Sequence, residues 1–372
     1  MTTKIGLVGL GKMGLSHLAL FNAHPEVEVV GICDSAGFML SVLEKYTGLA
    51  TYADMTVMLE EADLDAVVIS TPSALHGAMV RTALEKGVHV FCEKPFCLDP
   101  AESAELAALA RSKGLVTQVG YHNRYVAAFQ EVKRLIDAGA LGRVTHILAE
   151  AYGPVVLREQ GVTWRSQKGL GGGSLYDYAA HPLNLVNWFA GESRSAGGSV
   201  LNPIFSSETD DEVYSTFSFD DGVTAQLSVN WSDESQRKMT TKITVWGTMG
   251  RIYADRQEVQ VYLRQDAPLI PGYQAGWNVK YTTELTEEVW FYLRGEEYSA
   301  QVDDFVARIG KGALDGLNSF DSAAATDRSI AMLVNDATAG ATSSSTTVAA
   351  AAPTRNRYRR LLPALIRKMV RR

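Results

Sequence analysis

Cysteine is scarce in this chain. Cys33, Cys92 and Cys97 make no Cys-x-x-Cys pair and too few thiols for a disulfide framework, so a reducing cytoplasm is the expected compartment. Long apolar runs are missing too. None approaches the roughly 20 residues of a membrane span, and Met1-Thr2-Thr3-Lys4 leads into a strand with no apolar signal core. The seven histidines fall at no metal-ligand spacing, and no metal is expected. Basic residues are few outside the C-terminus: eight Lys and Arg lie between Pro353 and Arg372, leaving 27 basic against 42 acidic side chains in the rest. An acidic body excludes broad nucleic-acid binding. There is no internal repeat.

What is present is an ordinary globular balance, 46% hydrophobic and 21% charged, over 372 residues, which is too long for one core and predicts two domains. In the first 120 residues, apolar strands (4–8, 27–33, 65–70, 88–93, 116–120) alternate with helical periods (12–23, 35–47, around Ala78–Lys86, 99–113). That alternation implies a parallel sheet covered on both faces. After about residue 140 the pattern changes. A partly alternating strand is followed by Gly171-Gly172-Gly173, a helix from Ser174 to about Ala190, and strands near 211–219, 223–231, 243–247, 250–254 and 257–264, with Asp221-Gly222 as a hairpin turn. Helices near 298–311 and 321–338 close the body. The expected division is a dinucleotide-binding domain over 1–122, an α+β domain with a mostly antiparallel sheet over 123–340, a flexible Ser/Thr/Ala linker over 341–354, and a basic amphipathic tail over 355–372.

Gly9-Leu10-Gly11-Lys12-Met13-Gly14 is a G-x-G-x-x-G that follows a strand and opens a helix, the context that makes this motif a dinucleotide fingerprint. Gly9 serves the tight turn, Gly11 the approach of a pyrophosphate, and Gly14 the packing of helix on strand, with the phosphates at the helix N-terminus. Asp34 ends the second strand, twenty residues beyond Gly14, where a carboxylate accepts from ribose hydroxyls and repels a 2′-phosphate. No Lys or Arg lies between Asp34 and Lys45, which favours NAD, with NADP the alternative.

Ser70-Thr71-Pro72 with His76, Glu93-Lys94-Pro95, and Val119-Gly120-Tyr121 with Arg124 follow in order, and the series ends on Gly171-Gly172-Gly173-Ser174-Leu175-Tyr176-Asp177-Tyr178-Ala179-Ala180-His181. With the glycine motif, this series resembles the Gfo/Idh/MocA family, named after glucose–fructose oxidoreductase and inositol dehydrogenase, from about residue 4 to about residue 338. The resemblance implies a Rossmann domain, then an α/β domain whose open sheet often forms the oligomer contact, here a homodimer or homotetramer. It implies a catalytic lysine at Lys94, with Asp177 and His181 as its partners, and cofactor contacts from Gly9 to Gly14 (Lys12 and Met13 included), Asp34, Ser70, Thr71, Pro72, His76, Glu93 and Lys94. The family often carries another acid three residues after the histidine, where this chain has Asn184.

The residues taken alone agree. Asp177 and His181 stand at i and i+4 on one predicted helix, with Asn184 on the same face, and polar groups on an otherwise apolar helix require partners. A histidine can accept the hydroxyl proton of a secondary alcohol at neutral pH. A lysine can stabilise developing alkoxide charge or, with its pKa lowered by burial, act as the base itself. Tyr121, His122, Asn123 and Arg124 follow the last Rossmann strand and are expected near the pocket. Trp164, Arg165 and Lys168 precede the glycines and offer a ring face and cations to a sugar.

The expected activity is therefore an NAD(P)-dependent oxidoreductase on a secondary hydroxyl of a sugar, inositol or related polyol. A nucleotide-sugar dehydrogenase, an NAD-dependent glycosidase and a non-enzymatic dinucleotide sensor are the alternatives. In the tail, Leu361, Leu362, Leu365, Ile366, Met369 and Val370 fall on one helical face, with Arg360, Arg367, Lys368 and Arg371 mainly opposite. That pattern points to peripheral contact with an anionic membrane.

Overall fold

The computed structural model describes residues 2–159, 161 and 163–343. Six strands, β1 (Thr3–Val8), β2 (Val27–Cys33), β3 (Ala50–Tyr52), β4 (Ala66–Ile69), β5 (His89–Cys92) and β6 (Thr117–Val119), form the first sheet. Their order is β3-β2-β1-β4-β5-β6, and all pairs are parallel. The intervening helices are α1 (Lys12–Ala23), α2 (Gly37–Thr47), α3 (Met55–Glu61), α4 (His76–Glu85) and α5 (Pro100–Ser112). Strand order reverses between β1 and β4, the position at which such sheets open a crevice for ligands. Apart from Thr3 and Lys4 at the start of β1 and His89 at the start of β5, these two strands and β4 are apolar and buried, as strands covered on both faces must be.

The second sheet has eight strands: β7 (Val144–Tyr152), β8 (Ser195–Asn202), β9 (Glu212–Ser218), β10 (Thr224–Asn230), β11 (Lys242–Gly247), β12 (Gly250–Ala254), β13 (Glu258–Leu263) and β14 (Gly276–Tyr281). They run in the order β14-β13-β12-β11-β7-β10-β9-β8, antiparallel except for the β7–β10 pair. Burial alternates along β9, β10 and β13, so one face of each is covered and the other open. Asp221 and Gly222 both take positive φ in the turn between β9 and β10, the backbone a tight hairpin requires. The helices of this half are α6 (Ala127–Asp137), α7 (Ala180–Ala190), the single turn α8 (Thr282–Leu285), α9 (Glu296–Lys311) and α10 (Phe320–Ser343).

The expected strands and helices are present within a few residues. The short edge strand β3, together with α3, α6, β8 and β14, was not anticipated. Helix α10 carries the chain to Ser343, so residues 341–343 of the expected linker are helical. The rest of that linker and the whole basic tail lie outside the described residues. No helix among the described residues is long and apolar enough to cross a membrane.

The core buries Asp327 without an ion pair among the described residues. Asp327 on α10 is 3% exposed. Its Oδ2 accepts the Cys97 N–H at 3.1 Å, and its Oδ1 has no partner among the described residues. Burial pushes its carboxyl up to about 8, against the backbone N–H of Cys97 and the Ser103 hydroxyl, which favour the anion. Because the folded value exceeds the unfolded one, the stabilisation is complete below the ordinary carboxyl range and is lost as pH rises through about 8. Asp327→Asn has no such titration. Its melting temperature should gain on wild type between pH 6 and pH 9 by about 2 °C or more, measured by differential scanning fluorimetry across that range. A constant offset would show that Asp327 is ionised throughout.

Candidate active site

The glycine motif sits between β1 and α1. A methyl group on Gly14 would lie 1.8 Å from the Gly9 carbonyl oxygen, and one on Gly9 would meet the backbone of Ser70 and Thr71 at 2.8–2.9 Å. Gly9 and Gly14 are therefore required by the packing of the loop itself. A methyl group on Gly11 would meet nothing within 4 Å. Gly11 thus lines open space at the N-terminus of α1, where backbone N–H groups favour an anion. Lys12 is exposed and Met13 half-buried in the first turn. Across the crevice, the Ser70 hydroxyl is buried and has no protein partner among the described residues. An open cradle at Gly11 and an orphaned hydroxyl on the next loop fit a dinucleotide. Asp34 is half-buried. Its Oδ2 accepts the Leu10 N–H at 2.6 Å and its Oδ1 the Ala36 N–H at 2.7 Å, so it also braces the glycine loop.

Lys94 stands at the carboxyl end of β5, followed by a cis bond to Pro95. Its Nζ donates to Asp177 Oδ1 at 2.7 Å and to the Asp177 carbonyl at 2.9 Å. Arg165 Nε donates to Asp177 Oδ2 at 3.0 Å. Burial alone would raise the Asp177 carboxyl, but the charges of Lys94 and Arg165 outweigh it and hold the acid below its ordinary value. Asp177 lies on a π turn, Leu175–Ala179, that opens into α7. His181, in the first turn of α7, is 4% exposed, and its Nδ1 has no partner among the described residues. Its imidazole is held well below the ordinary value by burial first, then by Lys94 and Arg256. Trp164, 36% exposed, lies under the Arg165 guanidinium at 4.7 Å.

Several expected site residues are placed behind this cluster. His76 is 1% exposed, with Nδ1 at 2.8 Å from the Pro95 carbonyl and Nε2 at 3.0 Å from the Thr71 carbonyl. It ties two loops together and does not face the crevice. Thr71 is half-buried and Pro72 exposed on the first of those loops. Glu93 is buried against Gly120, accepting from His17 Nε2 at 2.7 Å and from the Lys94 N–H at 3.1 Å. Tyr121 is 1% exposed, and its ring stands nearly perpendicular to that of His181.

Arg124 and Asn184 correct the expectation of substrate contact. Arg124 spends its Nη groups on the Leu317 carbonyl, the Ser322 hydroxyl and the Asn184 carbonyl, and packs over Trp188. Asn184 is 1% exposed and donates to Thr326 Oγ1 on α10 at 3.1 Å. Its face of α7 is the one packed on α10, so it does not share the site with Asp177. Sequence reasoning did not single out His17, although it follows Gly14 by three residues, one helical turn along α1. It also missed Arg256, which no motif marks.

The glycines separate binding from folding. Gly11→Ala should melt within about 1 °C of wild type, as surface changes do, yet bind NADH about tenfold or more weakly. Gly14→Ala should lose several degrees, at about 2–4 °C per kcal/mol. Thermal melts and NADH fluorescence titration decide both, and undiminished NADH binding by Gly11→Ala would place the phosphates elsewhere.

Two family models cover most of the chain: an oxidoreductase family with an NAD-binding Rossmann fold over residues 3–121, and the GFO/IDH/MocA C-terminal domain over 129–253. The chain is 27% identical to the NAD(+)-dependent scyllo-inositol 2-dehydrogenase of Bacillus subtilis over 76% of its own length and 84% of that relative. A levoglucosan dehydrogenase solved with NADH and L-sorbose shares the fold at a TM-score of 0.82 and 23% identity, over 91% of this chain and 98% of that one. The WlbA dehydrogenase of Bordetella pertussis, solved with NADH and UDP-GlcNAcA, shares it at 0.75 and 20%, over 91% and 98%. With the glycine cradle, the Lys94–Asp177 pair and both family models in agreement, the chain belongs to the GFO/IDH/MocA family of NAD-binding oxidoreductases.

Proposed function

We propose that this protein is a dehydrogenase that acts on a secondary hydroxyl of a sugar, inositol or related polyol. The observation that carries the reading is the convergence of Lys94, Asp177 and His181 at the crevice that begins at the glycine loop. A bound nicotinamide supplies the hydride acceptor. The chain supplies the rest. His181 is neutral at neutral pH and can accept the hydroxyl proton. With Nδ1 buried, Nε2 is the nitrogen left to meet a substrate. Lys94, fixed by Asp177, offers positive charge to the developing alkoxide. Arg165 keeps Asp177 ionised, and its Nη groups have no partner among the described residues, which leaves them for substrate oxygens. Relatives named for inositol and solved neighbours named for levoglucosan support the substrate class. With Arg124 committed to internal contacts, a nucleotide sugar would rely on Arg165 and the exposed Lys168 for its phosphates. That leaves the free polyol as the better-supported substrate.

The test is NADH formation at 340 nm over a panel of sugars, inositols and nucleotide sugars. Lys94→Ala should reduce turnover at least about a hundredfold with NADH affinity retained. His181→Ala should remove the acid limb of the pH–rate profile. That limb should fall below 6.5, because burial favours the neutral ring that the reaction needs. A wild-type limb unchanged in the variant would assign the proton elsewhere.

The open sheet supports a second part of the reading, contact with another copy of the chain. Trp277, Val279 and Tyr281 alternate along β14, and Tyr262 lies opposite Trp277 on β13, all between 41% and 56% exposed on one face. Trp277→Glu should convert the protein to a lower oligomer by light scattering, with Rossmann-domain NADH binding intact.

A further inference from the structure

The alcohol proton has to leave His181, whose Nδ1 is buried and has no hydrogen-bond partner among the described residues. The ring nearest to it is His122, which is half-buried and lies just beyond β6. The two imidazole centroids are 4.8 Å apart at 60°. His122 is fixed from its other side by Tyr298, stacked at 4.7 Å and 18°, and Tyr298 is covered by the Arg294 guanidinium at 5.5 Å. Arg294 itself stands at φ 68, a backbone conformation that non-glycine residues hold only where the surroundings impose it. Neither nitrogen of His122 has a hydrogen-bond partner among the described residues, and His122 as a residue is less completely buried than His181. The chain thus sets a partly buried imidazole beside a fully buried one.

We propose that His122 is the proton exit for His181. The inference rests on the reading of His181 as the base. As the substrate O–H bond breaks, its proton joins His181 Nε2, and the Nδ1 proton of the same ring passes to His122, directly after a small ring rotation or through one water. His122 then releases a proton to solvent, while the hydride leaves separately to the cofactor. Charges facing the two rings come from every neighbouring element: Lys94 after β5, Arg256 between β12 and β13, Arg294 before α9, and the phenols of Tyr121 and Tyr298. The cations disfavour imidazolium at both positions, so a proton does not rest on either ring.

Two variants, His122→Phe and His122→Gln, test the relay, since the second keeps a polar side chain if the first packs poorly. With the substrate found above, both should lower kcat about tenfold with little change in KM, enlarge the solvent deuterium isotope effect, and respond to added imidazole by recovering turnover. Independently of any substrate, exchange of the His181 Nδ1 proton with water, followed by NMR on 15N-histidine protein, should slow about tenfold in His122→Phe. Unchanged exchange and unchanged kcat overturn the relay. A kcat loss that imidazole does not rescue, with a lowered melting temperature, also overturns it and assigns His122 to packing. Slowed exchange in a protein whose pH profile survives His181→Ala would instead overturn the assignment of His181 as base.

Discussion

The Lys94–Asp177 ion pair is the contact on which the site depends. Both side chains are only 14% exposed, and removing charges from water is expensive unless each is fully satisfied. Here the lysine reaches both the carboxylate and the carbonyl of one residue, and Arg165 takes the second carboxylate oxygen. The pair joins the end of a parallel strand to the first turns of a helix packed on the other sheet. Removing one partner would leave an uncompensated buried charge between the two halves of the candidate site.

The pair is supported by residues that never face the crevice. Glu93 holds the Lys94 backbone and is itself held by His17 on the cofactor helix. His76 faces the carbonyls of both Thr71 and Pro95, although a neutral imidazole carries one N–H for the two. Arg124 clamps α7 through the Asn184 carbonyl to the segment that precedes α10. The loops after β4 and β5 are thereby set relative to α1, α4 and α7 before any ligand arrives. This is the preorganisation that electrostatic catalysis needs.

The fold was legible where the physics is local. A strand, a glycine turn and a helix follow one another within twenty residues, and period-2 and period-3.6 patterns are short-range. Lys94, Asp177 and His181 were legible because they sit in motifs whose spacing survives into the structure. Arg124 and Asn184 misled because sequence order gives the neighbourhood of a side chain and not its direction. Arg124 lies beside the expected pocket but turns away from it. Asn184 was assigned to the Asp177 face by assuming a continuous α-helix, whereas the helix begins with a π turn. Arg256 carried no signal at all: it reaches the neighbourhood of His181 only because β12 and β13 return the chain there. The edge strand β3 and the outer strand β14 are short or polar on one side, and lacked the apolar density that marks the inner strands.

The π turn at Leu175–Ala179 changes what a substitution or a deletion can do to this enzyme. A wider helical turn holds one more residue than its neighbours along the same length of axis, so it stores a register choice. Loss of a single residue there would let the segment rewind as ordinary α-helix while α7 stays anchored by its packing. The acid and the histidine would then part company, although neither had been altered and the hydrophobic core had barely moved. The separation between the two groups is therefore encoded in chain length at one turn, and a length change of one residue is a route by which relatives on this scaffold could acquire a different geometry of reaction without rebuilding the fold.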